Sequence, residues 1–317
     1  MRRLLSFLAK AGVSALLLYL SLRSVNLGAV GDRISRLNTG WLFFIPVVLM
    51  VQTALLALRW RQIVLVSGAT LSLPAALRYS LIAMFFNQTL PSTIGGDAAR
   101  VWLLGRNGVG WRLASYSVLI DRGVGLFALA ILVVACLPWS LALVREPAGG
   151  AALVTIGFGS IIGALIFIAI AFAPKQTMNR WWLTRHLAAT AAIAWRLCLS
   201  PRSAALVGLL SIAIQFLTVT VAWSAARSIN APFEFALALF LIPPVMLIAA
   251  IPISIAGWGL REGAMIVAFA YAGLSQDDGL AVSILFGATS FIVGALGGIV
   301  WIASGERLSP PPENAGP

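Results

Sequence analysis

Apolar residues run through this chain in long unbroken stretches, and charge is confined to short clusters between them. Uncharged segments span 37–58, 79–96, 123–144, 147–174, 203–226, 235–260, 263–276 and 279–305. Most reach the ~20 residues that carry a helix across a bilayer core. A shorter apolar run, Ala11 to Leu22, follows Arg2, Arg3 and Lys10. It looks like the basic and apolar regions of a signal peptide, but no small-x-small cleavage site follows and Arg23 closes it, so the pattern predicts an uncleaved first helix. The fold class expected is an all-α polytopic integral membrane protein of about eight membrane elements.

Two segments depart from simple spans. The first ends in Asn87-Gln88-Thr89-Leu90-Pro91-Ser92-Thr93-Ile94-Gly95-Gly96-Asp97, and 235–274 is broken by Pro252-Ile253-Ser254-Ile255-Ala256-Gly257-Trp258-Gly259-Leu260-Arg261-Glu262. Proline removes a helical donor and glycine permits positive φ, so both places interrupt a helix at membrane depth. Irregular backbone there is tolerated only inside protein or beside a wet cavity, which marks the two breaks as candidate sites. Both breaks carry Pro, a nearby Ser, two glycines, an acid and an arginine, and Pro91 and Pro252 lie 161 residues apart. That spacing suggests one membrane domain over 1–308 made of two repeats, about 1–145 and 146–308, with a disordered tail at 309–317.

Composition agrees with this picture and narrows it. Of 317 residues, 60% are hydrophobic and 10% charged, too few charges for a soluble surface. The net charge of +12 comes from 22 basic against 10 acidic residues spread through loops, so it points to cytoplasmic positive loops and not to nucleic acid. Cys136 and Cys198 show no pairing or metal-binding pattern, and the single histidine, His186, reads as a loop residue in an Arg-rich segment. No metal or cofactor is expected, and no nucleophile and base pair suggests an enzyme.

The loop charges also set an orientation. With a cytoplasmic N-terminus and the 79–96 segment returning as a re-entrant hairpin, Arg59, Arg61, Arg78, Arg100, Arg106 and Arg112 all stay cytoplasmic. The loop 175–202 then lies inside, a second hairpin enters from outside and ends at Asp277-Asp278, and the C-terminus is cytoplasmic. The costs are Arg23, Arg33 and Arg36 against Asp32 in the first external loop. The second half is inverted relative to the first, as in many transporters. If both broken segments spanned instead, Arg100, Arg106 and Arg112 would lie outside.

Six charges fall at membrane depth: Asp97, Arg100, Asp121, Arg122, Arg261 and Glu262. A charge at the bilayer centre costs at least ~2.5–3.5 kcal/mol on insertion scales, so each needs a partner or a role. Three acids against three bases suggest one charge-balanced cavity between the hairpins. In that reading Gly95, Gly96, Gly257 and Gly259 form anion-binding nests, with Asn87, Ser92 and Ser254 beside them. Arg100, Arg122 and Arg261 hold a phosphate, while Asp97, Asp121 and Glu262 balance them. The plainer alternative makes Asp97 and Glu262 helix caps and the ion pairs structural. Gln52 and Gln215 suggest interhelical hydrogen bonds, and most of the tryptophans, Trp60 among them, an aromatic belt. Gly287-Ala288 and Gly294 to Gly298 suggest close helix packing.

The run NQTLPSTIGGDAAR from Asn87 to Arg100, the Asp121-Arg122 pair and PISIAGWGLREGA from Pro252 to Ala264 together resemble the lysylphosphatidylglycerol synthase transmembrane-region family, flippase-like integral membrane proteins. The resemblance covers essentially the whole chain. Larger members add a cytosolic aminoacyl-transferase domain, which these 317 residues do not contain. The resemblance therefore implies lipid translocation without synthase chemistry, in the cytoplasmic (inner) membrane of a bacterium or archaeon. The partners implied are membrane lipids with anionic or zwitterionic head groups. The alternative is a non-transporting partner of an envelope-lipid or polysaccharide assembly enzyme, docked through the basic 175–202 loop.

Overall fold

The structure, a computed structural model, describes residues 19, 27–35, 37–89, 95–144, 147–173, 182–251 and 258–305. The expected first helix at 11–22, apart from Tyr19, lies outside them, as do Pro91, Ser92, Pro252, Ser254, Gly257 and the tail. Everything regular among the described residues is helical. In chain order the helices are α1 (Leu27–Ser35), α2 (Thr39–Val66), α3 (Leu73–Thr89), α4 (Gly95–Leu104), α5 (Trp111–Leu143), α6 (Pro147–Ala169), α7 (Trp182–Leu199), α8 (Pro201–Ser228), α9 (Phe235–Ala249), α10 (Leu260–Tyr271) and α11 (Gln276–Ala303). A wider turn at Gly105–Val109 joins α4 to α5, and a short 3₁₀ turn at Ile170–Phe172 follows α6. Helices α2, α5, α8 and α11, together with Gly149–Phe172, are long and apolar enough to cross a bilayer. The chain is an all-α polytopic membrane protein.

Local sequence explains where the helices begin. The Asn38 side chain accepts from Gly40 N at 3.0 Å and caps α2. Pro201 opens α8 at a position where the missing N–H is no loss. Gly259 has φ +89° and turns the chain into α10.

The order long helix, interrupted pair, long helix occurs twice, as α2 to α5 and as α8 to α11. The packing repeats with it. In each unit the opening helix touches the next and the closing one, the two halves of the interrupted pair touch each other, and the second half touches the closing helix. Across the units α2 packs on α8, while α3 packs on α11 and α9 on α5, each first half thus meeting the other unit's closing helix.

Within the first unit α4 runs back along α3. Gly96 lies against Ala83 and Asn87, and farther along Asn107 donates to the Tyr79 hydroxyl at 2.6 Å. The partner residues descend in number as the chain advances, which is an antiparallel hairpin. The contact with α11 is closer still: a Cβ at Gly297 would lie 1.9 Å from the Leu81 carbonyl oxygen. The glycines read as packing residues thus allow backbone-to-backbone approach.

Two expectations based on counting between charges need correction. The stretch ending at residue 58 is part of a helix that continues to Val66, so Arg59 and Arg61 are helical and Arg59 is buried. Residues 182–199, expected as loop, form α7. Thr190, Ala191, Ile193 and Leu197 supply its buried side and Arg185 and Arg196 stay exposed, an amphipathic pattern the arginines had masked. His186 is accordingly helical, with Nδ1 2.5 Å from the Tyr116 hydroxyl and its ring against Trp182.

Candidate functional site: two ionic groups on the interrupted segments

Four of the six charges singled out in the sequence come together, and a fifth residue, Arg59, joins them. Asp97 and Arg100 sit on the first turns of α4, Asp121 and Arg122 on α5, and Arg59 arrives from α2. Arg59 Nε donates to Asp121 Oδ1 at 2.8 Å, and Arg100 Nη1 donates to Asp121 Oδ2 at 2.7 Å. Arg100 Nη2 donates to Asp97 Oδ1 at 2.6 Å, and Arg122 Nε pairs with Asp97 Oδ2. The result is an alternating chain, Arg59, Asp121, Arg100, Asp97, Arg122, with every carboxylate oxygen taken by a guanidinium.

The buried end of this chain is anchored further. Arg59 also donates to the Asp121 carbonyl and to Ser211 Oγ on α8, both at 3.2 Å. Arg100 lies over the Trp60 ring at 5.1 Å, and Trp60 Nε1 donates to Ser117 Oγ at 3.2 Å. Trp60 is fully buried, so it is a platform beneath Arg100 and not part of an aromatic belt. The other end is open: the Arg122 side chain is 35% exposed, against 10% or less for the other four.

Arg261 and Glu262 form a second group on α10 and α11. Arg261 Nη2 donates to Glu262 Oε1 at 2.8 Å and Arg261 Nε to Ser283 Oγ at 3.0 Å. Ser283 in turn donates to Glu262 Oε1 at 2.9 Å. Trp258 and Phe286 flank the guanidinium, each 5.4 Å from it. The two groups share a plan. Arg100 reaches a residue 21 positions on in the closing helix of its unit, Arg261 one 22 positions on. That residue is an aspartate in the first unit and a serine in the second, where the carboxylate comes from α10 itself.

This arrangement revises the expected cavity in three respects. The six charges form two groups, one in each of the two helical units. The balance is not three against three, because Arg59 gives the first group three arginines to two aspartates. Two of the four glycines expected to form nests have their donors in use. Gly96 N–H donates to Asn87 Oδ1 at 2.8 Å, and Gly259 N–H donates to Glu262 Oε2 at 2.6 Å. Asn87 and Glu262 therefore cap α4 and α10, whereas Asp97 serves the arginines. Gly95 is buried at the start of α4, and the cradle expected at Ser92, Ser254 and Gly257 lies outside the described residues. Gln52 bonds Thr218 Oγ1 at 2.6 Å and Gln215 the Gly125 carbonyl at 3.1 Å, the interhelical roles expected of them.

Beside the second group lies an apolar groove of about 560 Å³ between α5, α6, α9 and α10. Val144, Ile156, Leu241, Pro244 and Gly263 line it, and Gly259 brings it to the cap of α10. Sequence periodicity gave no sign of this groove, because α6 and α9, which form two of its walls, carry no charge and show no polar face. α6 borders it and is the most peripheral of the spans, with 6% of its apolar window buried against 61% for α11.

No curated protein matches the chain. The family described as lysylphosphatidylglycerol synthase TM region matches residues 7–298, which include both interrupted segments and both ionic groups. With most of its length matched and a helical membrane fold carrying the motifs in order, the chain belongs to the lysylphosphatidylglycerol synthase TM region family.

Proposed function

We infer that the protein moves a phospholipid or related amphiphile between the leaflets of a cytoplasmic membrane, acting as a transporter and not as an enzyme. The observation that carries this reading is the pair of ionic groups held on two interrupted helices of a membrane domain. Intramembrane ionisable groups commonly mark pathways. Each interrupted segment offers one polar station, and the two stations belong to repeats of inverted orientation, so one faces each leaflet. The acyl chains occupy the apolar groove, whose volume falls in the ~300–1,000 Å³ range of ligand pockets. As a head group arrives, one guanidinium of the first group turns from its carboxylate to the phosphate, and the aspartate it leaves keeps its second arginine, so neither charge is left unpaired in hydrocarbon.

Asp278 supports the orientation. Arg33 Nε lies 2.6 Å from Asp278 Oδ1, joining α1 to the first turn of α11. One of the three arginines that counted against the topology, Arg33, thus has an acidic partner on the same side.

A second reading, docking of an envelope-assembly enzyme, draws on α7, which exposes Trp182, Arg185 and Arg196. Transbilayer movement of a fluorescent phospholipid in proteoliposomes separates the two. Protein-dependent movement is expected, and movement no faster than in protein-free vesicles overturns the transport reading in favour of docking.

A further inference from the structure

We propose that α7 lies in the head-group layer of the cytoplasmic leaflet and binds the anionic lipid surface there through Arg185 and Arg196. This contact is separate from both ionic groups, and it stands whether or not the protein moves lipid. Three observations carry it.

The first is depth. Only Ser200 separates Leu199, the last residue of α7, from Pro201, the first of α8. α8 has 28 residues, about 42 Å at 1.5 Å per residue, so it overruns a ~30 Å hydrocarbon core by roughly 6 Å at each end. The junction with α7 therefore sits among head groups. The Trp195 ring meets Phe172, just after α6, at 4.7 Å, and His186 holds Tyr116 near the start of α5. Tied to the ends of three spans, α7 stays at that level, on the cytoplasmic side in the orientation proposed above.

The second is the outward side of the helix. Thr190, Ala191, Ile193 and Leu197 turn inward. Arg185, Ala189, Ala192 and Arg196 share the opposite side, with the two arginines exposed and roughly 16 Å apart along the axis. Trp182, 70% exposed, and Leu199, 61% exposed, flank this side at its two ends. Arginine beside tryptophan and leucine is the composition of a helix lying in a membrane interface, where guanidiniums reach phosphates while apolar side chains enter the acyl boundary. An acidic protein surface answers the arginines alone; head groups above acyl chains answer both.

The third is charge without an internal answer. Arg185, Arg196 and, at the start of α8, Arg202 are exposed and make no hydrogen bond or ion pair among the described residues. No acid occurs between Glu146 and Glu234, a stretch that contains all three arginines. The acids of the C-terminal tail, Glu306 and Glu313, follow α11, which is not among the helices on which α7 packs. Basic side chains within a Debye length of an anionic leaflet are drawn to it.

The test places a fluorescent label on Cys198 of the full-length protein, exposed on α7 while Cys136 is buried. The protein is set in nanodiscs of phosphatidylcholine alone or of phosphatidylcholine with phosphatidylglycerol, each with the same share of lipid carrying a nitroxide on its head group. Quenching should be stronger by about twofold or more with phosphatidylglycerol, and the excess should vanish in about 1 M salt, where the Debye length is ~3 Å. Arg185→Gln with Arg196→Gln should remove the difference at an unchanged unfolding temperature, and lysine at both positions should keep it. Arg227→Gln, exposed at the far end of α8, should alter nothing. Equal quenching in the two kinds of nanodisc, or a difference that survives both glutamines, overturns the proposal and leaves this face to a protein partner.

Discussion

Arg59 on α2 and Asp121 on α5 form a buried ion pair, Nε to Oδ1 at 2.8 Å, that ties the first helix of a repeat to its last. Both side chains are 5% exposed or less, so neither charge has water to fall back on. Removing one partner of such a pair costs about 3–5 kcal/mol, chiefly because the other is left buried and uncompensated. Arg59→Met should lower thermal stability in detergent by that order. Adding Asp121→Asn should cost less than the sum of the two single changes, with a coupling of roughly 0.5–3 kcal/mol. Additive losses would show that the two side chains do not act as a pair.

Helix α11 has its own test, with an internal control. A Cβ at Gly297 would lie 1.9 Å from the Leu81 carbonyl oxygen and one at Gly96 2.2 Å from that of Ala83, whereas one at Gly208 would meet nothing within 4 Å. Backbone cannot yield as a side-chain tip does. Gly297→Ala and Gly96→Ala should each cost about 1–3 kcal/mol as overpacking, while Gly208→Ala should be neutral or slightly stabilising. Equal unfolding temperatures for all three would refute the close packing.

The hairpin orientation is open to cysteine labelling in a Cys198→Ser background, since Cys198 is exposed. Gly31→Cys and Ser275→Cys flank the Arg33 to Asp278 contact and should react with an impermeant maleimide from outside intact cells. Arg106→Cys, exposed on the turn after α4, should react only after permeabilisation. Labelling of position 106 from outside would sink the re-entrant hairpin.

Much of this was legible in the sequence because membranes punish exceptions. Asp97, Arg100, Asp121 and Arg122 stood out as charges in apolar surroundings, and Gly95-Gly96 and Gly259 marked where helices restart. Arg59 was missed for a physical reason: it sits one and a half to two turns from the end of α2, where a charge looks like a loop flank. Only its packing against α5 and α8 shows it to be interior. Ser283 was invisible because one serine among many carries no signal without its neighbour Arg261. The donors of Gly96 and Gly259 looked available because sequence does not say that Asn87 folds back over one, or that Glu262 reaches its own cap. The second ionic group was expected to share one cavity with the first; repeated packing instead gives each interrupted segment its own.

The most direct test of the account is the rate of transbilayer phospholipid movement in proteoliposomes, compared between the unaltered protein, Ala152→Trp and Gly208→Ala. Ala152 lines the groove from the exposed helix α6, so a tryptophan there fills the groove without entering the core. The account predicts rapid movement with the unaltered protein and Gly208→Ala, and movement slower by roughly tenfold, the equivalent of about 1.4 kcal/mol, with Ala152→Trp. A rate no higher than in protein-free vesicles, or an undiminished rate with the groove filled, would contradict it.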